Sequence, residues 1–92
     1  MKFKLGQTVM TRGIADAMEE NKDFTKEVHK AFERYIACDW GELEEEDAEL
    51  NNSAVQNNDD RIFAKYDTSE GAIYIITEWD RSVTTILFTD EY

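Results

Sequence analysis

Apolar residues recur with a helical period in the first half of the chain. Phe24, Val28, Ala31, Phe32, Tyr35 and Ile36 stand at i, i+4, i+7, i+8, i+11 and i+12. That spacing predicts a broad amphipathic stripe on one helix, capped by Asn21 or Asp23. Lys26, Glu27, Lys30, Glu33 and Arg34 fall off the stripe and face water. Upstream, Val9 flanked by Thr8 and Met10 reads as a short strand over 7–11. Thr11-Arg12-Gly13 reads as a turn, and 14–20 as a short helix with Ile14, Ala17 and Met18 on one side.

From Arg61 the period changes to two. The segments 61–66, 72–77 and 83–88 alternate or are rich in β-formers, and they are joined by a turn at 67–71 and a polar loop at 78–82. This predicts a three-stranded antiparallel meander, with the N-terminal strand as a possible fourth. The fold expected is α+β: helices packed on one face of a small three- to four-stranded antiparallel sheet, ending in a β-meander, as one domain over 1–92.

Between these halves, Asp39-Trp40-Gly41 breaks the long helix, with Gly41 able to take the left-handed turn. A second helix is expected over 42–55, with Leu43, Leu50 and Ala54 on its buried face and Val55 at the edge.

Charge changes the picture most in this middle stretch. Residues 35–60 hold nine carboxylates and no lysine or arginine, within a chain whose net charge is −11. Glu42, Glu45, Glu46 and Glu49, at i, i+3, i+4 and i+7, share one face of the expected helix. Seven helical residues rise roughly 10 Å, over which duplex DNA carries about six charges. Four carboxylates in that length approach the charge density of nucleic acid. Such a face either occupies a basic channel as a nucleic-acid mimic or simply keeps a small protein in solution.

The loop 78–82 (Glu78, Trp79, Asp80, Arg81, Ser82) is the other concentration of candidate binding groups, since polar loops on a rigid scaffold often carry recognition. It also reads as a plain hairpin connection, with Arg81 paired to Asp80 or Glu78 and Trp79 packed. A small-ligand pocket built from Arg12, Asp39, Glu78 and Arg81 is a further arrangement, if the segments 11–13, 39–41 and 78–82 converge.

Catalysis is not indicated. His29 is the only histidine and is expected on an exposed flank; no serine or cysteine has an activating context. No phosphate loop, dinucleotide fingerprint or metal-ligand spacing is present, so no cofactor or metal is expected. Cys38 is the only cysteine and reads as a buried small hydrophobe. The acidic balance argues against direct binding of nucleic acid. The longest apolar run, 72–76, is too short to span a bilayer. A soluble cytoplasmic protein is the expectation.

FKLGQTVMTRGI, CDWGELEEED and IITEWDRSVTTILFTDEY resemble blocks of a family of short proteins from bacterial plasmids, conjugative elements and prophages. The family is labelled "plasmid-related protein", or in some automated labels a type I restriction endonuclease subunit M. The resemblance spans nearly the whole chain and departs from the family pattern at Trp79 and Thr89. Ninety-two residues cannot hold a methyltransferase domain. What the resemblance implies is a mobile-element setting, in which small acidic proteins block host restriction or CRISPR nucleases. The expected partner is therefore the basic surface of a nucleic-acid-binding protein, met by Glu42, Glu45, Glu46, Glu49, Trp40, Glu78, Asp80 and Arg81. The alternative is a non-catalytic adaptor, homodimeric through Trp79, Tyr74 or an open sheet edge.

Overall fold

The computed structural model describes residues 2–92. In chain order the elements are β1 (Gln7–Met10), α1 (Arg12–Glu20), α2 (Lys22–Ile36), α3 (Glu45–Asn57), β2 (Ile62–Tyr66), β3 (Ile73–Thr77), β4 (Val83–Phe88) and a closing 3-10 turn, Thr89–Glu91. The sheet order is β1-β4-β3-β2. The class is α+β, and β2-β3-β4 form the antiparallel meander. The sheet is mixed rather than antiparallel, because β1 lies parallel to β4 with Gln7 opposite Val83 and Met10 opposite Ile86. A four-residue strand carries no signal of its direction. The long path through three helices and two strands before β4 leaves either direction open.

The core lies between the sheet and the helices. Ile62, Ala64 and Tyr66 of β2, Ile73 and Ile75 of β3, and Ile86 of β4 meet Ile14 of α1 and Phe24, Val28, Ala31 and Tyr35 of α2. A hydroxyl relay crosses this apolar layer. Tyr35 Oη lies 2.7 Å from Thr77 Oγ1, which lies 2.7 Å from Thr84 Oγ1. Thr84 in turn donates to the Leu5 carbonyl at 2.7 Å. Since that carbonyl can only accept, the relay has one direction, from Tyr35 to Leu5. Burial pushes the Tyr35 hydroxyl well above its ordinary pKa, so it stays a donor.

Helix boundaries differ from the pattern at three places. Thr11-Arg12-Gly13 is not a turn but the start of α1: Thr11 is the N-cap, and its hydroxyl accepts from the Ile14 amide at 3.3 Å. The same hydroxyl donates to Glu91 Oε1 at 2.8 Å, and Gly13 leaves the room that the Glu91 carboxylate fills. Helix α2 is capped by Asn21. It ends at Ile36, and the left-handed residue that closes it is Cys38, not Gly41. Cys38 takes φ 63°, and the Asp39 and Cys38 amides bond back to the Arg34 and Tyr35 carbonyls in a Schellman pattern. Cys38 is half-buried, and that burial raises its thiol pKa.

The third difference is the acidic helix. It begins at Glu45; residues 41–44 lie outside the helix, and Gly41 makes an isolated bridge to Lys65 of β2. Its buried residues are Asn51 and Ala54, while Leu50 is 65% exposed. The reason is specific to Asn51. Its side-chain amide accepts from the Phe63 amide at 3.2 Å and donates to the Phe63 carbonyl at 2.6 Å. It thus serves as a piece of strand on the outer edge of β2. Lys65 completes the edge, receiving from Glu42 N at 2.7 Å and donating to Trp40 O at 3.4 Å. Asn51→Ala is expected to lower stability by about 2 kcal/mol, because two partly buried backbone groups lose their partners; urea unfolding reads it.

Candidate functional site

The acidic residues and the 78–82 hairpin, distant in sequence, meet through Arg81. This side chain is buried, at 8% exposure, and takes φ 60°. It pairs with no carboxylate. Its Nη2 donates to the carbonyls of Ala54 and Asp59, both at 3.0 Å. Its Nη1 donates to Asp60 O at 2.6 Å, Trp79 O at 3.1 Å and Glu78 O at 3.3 Å. Arg81 therefore fastens its own hairpin to the C-terminal end of α3. A cation is favourable there because unpaired helix carbonyls concentrate negative potential at that end. At the other end Glu45, Glu46 and Asp47 occupy the first turn, where anions are favoured. The helix thus tolerates its carboxylates through charge placement at both ends.

The carboxylates form two groups rather than one even row. Glu42, Glu44, Glu45, Glu46 and Glu49 are exposed around the N-terminal half of α3. Glu42 lies before the helix, so it is not on a shared helical face with the other three as the spacing suggested. Asp59, Asp60, Glu78 and Asp80 are exposed around its C-terminal end. Between the two groups α3 presents Asn52, Ser53 and Gln56. From Glu49 to Asp59 is about 15 Å at helical rise. Among the described residues the ion pairs are Arg12–Asp16 at 3.9 Å and Arg34–Asp39 at 2.8 Å, so neither group is neutralised by a paired cation. Asp80 is held in place by its own turn: it accepts from the Ser82 amide at 3.0 Å, and Ser82 holds its pKa below the ordinary carboxylate range.

Two of the residues expected to touch a partner face inward instead. Trp40 is 5% exposed, packs edge-on against Tyr35 at 5.5 Å and donates its indole N–H to Asn52 Oδ1 at 3.0 Å. It orients α3 and offers no surface. Arg81 acts by positioning the hairpin, as above. Trp79, packed in the plain-hairpin reading of this loop, is 68% exposed. Sequence reasoning passed over Asn51 and Asp59. Nothing local to Asn51 signals an amide that serves as a strand.

The segments 11–13, 39–41 and 78–82 do not converge, which removes the small-ligand pocket of Arg12, Asp39, Glu78 and Arg81. Thr11 N bonds Ile86 O near the end of β4, whereas 78–82 precedes the start of that strand. Segment 39–41 lies along β2 at the opposite edge of the sheet from β1. The Arg12 side chain is 93% exposed. Asp39 is engaged bidentately by Arg34, at 2.8 and 3.1 Å, which holds its carboxyl below the usual range.

Among the described residues no three His, Cys, Asp or Glu side chains are grouped as ligands for a metal ion. No helix among them is long and apolar enough to cross a membrane. Compared with known proteins, the chain matches no family model, no curated protein and no solved structure.

Proposed function

We propose that the protein binds the basic, nucleic-acid-binding surface of another protein through the face built by α3 and the 78–82 hairpin, and excludes nucleic acid from that surface. The observation that supports this is the Arg81 fastening, which gathers Glu78, Asp80, Asp59 and Asp60 at one end of a helix whose other end carries five exposed glutamates in or beside its first turns. A fixed array of unpaired carboxylates presents its charge without ordering side chains on long flexible loops first. In the mobile-element setting implied by the sequence blocks, the target is a restriction- or CRISPR-type machine. The protein acts by competition and carries out no chemistry. A second reading, an adaptor whose acidic face only solubilises, is supported by the exposed Trp79 and the uncovered edge of β1.

The test is affinity capture from a bacterial lysate at low and moderate salt, with Glu42, Glu45, Glu46, Glu49 and Glu78 changed to Gln in the control bait. The expected outcome is a nucleic-acid-binding enzyme captured by the native protein and lost from the control. Its purified form should bind the control at least roughly tenfold more weakly and be displaced by duplex DNA. Identical captures from both baits would overturn this reading and favour the second.

A further inference from the structure

The two edges of the sheet are treated differently. The outer edge of β2 is closed by Asn51, Trp40 and Glu42. The outer edge of β1 is open. Gln7 and Thr11 direct their amides to β4, bonding Ser82 O at 3.0 Å and Ile86 O at 3.1 Å. Alternation along the strand then turns the N–H and C=O groups of Thr8 and Met10 away from the sheet. Edges of this kind are ordinarily blunted by charge, proline or a bulge. Residues 7–11 (QTVMT) carry no charge and no proline.

Beside this edge, on the helix side, runs a groove of about 310 Å³ lined by Met10, Met18, Phe32 and Ile86, with His29 and Glu33 also contributing. Met10 itself is 42% exposed. A row of free backbone groups next to an apolar groove is the arrangement used to accept an added strand.

We propose that the added strand is β1 of a second copy, paired antiparallel across a two-fold axis normal to the sheet at Val9, giving one continuous eight-stranded sheet. Thr8 of each copy then exchanges backbone hydrogen bonds with Met10 of the other. Two observations select a second copy. The first is shape. Thr8 and Met10 lie opposite Thr84 and Ile86, on the helix side of the sheet, so an added β1 brings its own Met10 beside Thr8 and into the groove. The exposed apolar side chain and the space that lacks one belong to the same surface, as an isologous interface requires. The second is charge. In a chain of net charge −11, this edge is neutral and lies at the opposite end of the sheet from β2 and the acidic helix, so two copies join where their repulsion is least.

This association is independent of the acidic-face reading, and the two respond oppositely to salt. Screening relieves the repulsion between two anionic copies, so the dimer tightens as salt rises, while capture through the carboxylates weakens. The experiment is sedimentation equilibrium of the full chain over a concentration series, with amide exchange of Thr8 and Met10 read by NMR. A monomer–dimer equilibrium is expected, with both amides protected in the dimer and exposed on dilution. Thr8→Pro removes an outward N–H and leaves the ladder to β4 intact. It should raise the dissociation constant at least roughly tenfold with an unchanged circular-dichroism spectrum. Met10→Lys, which puts a charge in the groove, should do the same. A chain that stays monomeric at roughly 1 mM with freely exchanging Thr8 and Met10 amides would overturn the proposal and leave the edge for a strand of another protein. A dimer that persists in both variants would overturn it in favour of another surface. The glutamine variants of the acidic face should dimerise at least as well as the native chain.

Discussion

Arg81→Met is expected to lower the unfolding free energy by about 4 kcal/mol. The guanidinium gives hydrogen bonds to five carbonyls, of Ala54, Asp59, Asp60, Glu78 and Trp79, from a site almost closed to water. Methionine keeps the bulk and removes every guanidinium donor, so carbonyls in three separate segments lose a donor at once, while those of Ala54 and Glu78 keep a backbone one. Small domains have only about 5–15 kcal/mol in total, so the variant should be marginal. Arg81→Lys restores the charge at the helix end but has three donors in no fixed plane, and should recover about half the loss. Urea unfolding by circular dichroism measures both. A loss below about 1 kcal/mol for Arg81→Met would mean that water replaces the guanidinium easily. Since Arg81 also joins the hairpin to α3, partner capture by the lysine variant should fall further than its stability alone explains.

Gly41→Ala is the second large effect, at about 3 kcal/mol. Gly41 has φ 72°, and a Cβ there would press against the Lys65 carbonyl and lie 2.7 Å and 2.8 Å from the Tyr66 ring carbons. The carbonyl is backbone in a paired strand and the ring is buried, so neither can swing aside. Relief requires the 39–44 segment to lift off β2. That would free the Lys65 carbonyl from Glu42 and loosen Trp40 from Asn52. The thermal midpoint should fall by well over about 10 °C for a domain of this size. Proteolysis of the variant should begin between Cys38 and Glu45. A midpoint within about 2 °C of the native protein would show that the segment moves without cost.

The parts of this structure visible in the sequence are those whose residues act through burial alone. The stripe from Phe24 to Ile36 buries Phe24, Val28, Ala31 and Tyr35 as its period requires. The alternation of 62–66 puts Ile62, Ala64 and Tyr66 under the helices. Direction and phase were less legible. The parallel course of β1 depends on where the chain enters, and four residues do not encode it. The phase of α3 turns on Asn51, an amide that looks polar and surface-bound until Phe63 supplies both partners. At the candidate site, the acidic stretch was evident from composition, but its division in two was not, because that follows from the non-helical segment before α3. Arg81 was singled out for its residue type and assigned outward. Its real partners are carbonyls more than twenty residues away in Ala54, Asp59 and Asp60, and carbonyls have no sequence signature.

Residues 7–10 pair only with 83–86, so the first strand of the chain waits for the last. During synthesis β1 leaves the ribosome with nothing to hold it, and the meander must close before its only neighbour exists. The same holds for Leu5, whose carbonyl is reached by the Thr84 hydroxyl. Contacts of such long sequence separation slow folding, and here they wait until β4 has been made. The sheet is therefore complete only once β4 has been synthesised. Until then the uncharged segment 7–10 is free to pair with whatever strand comes near.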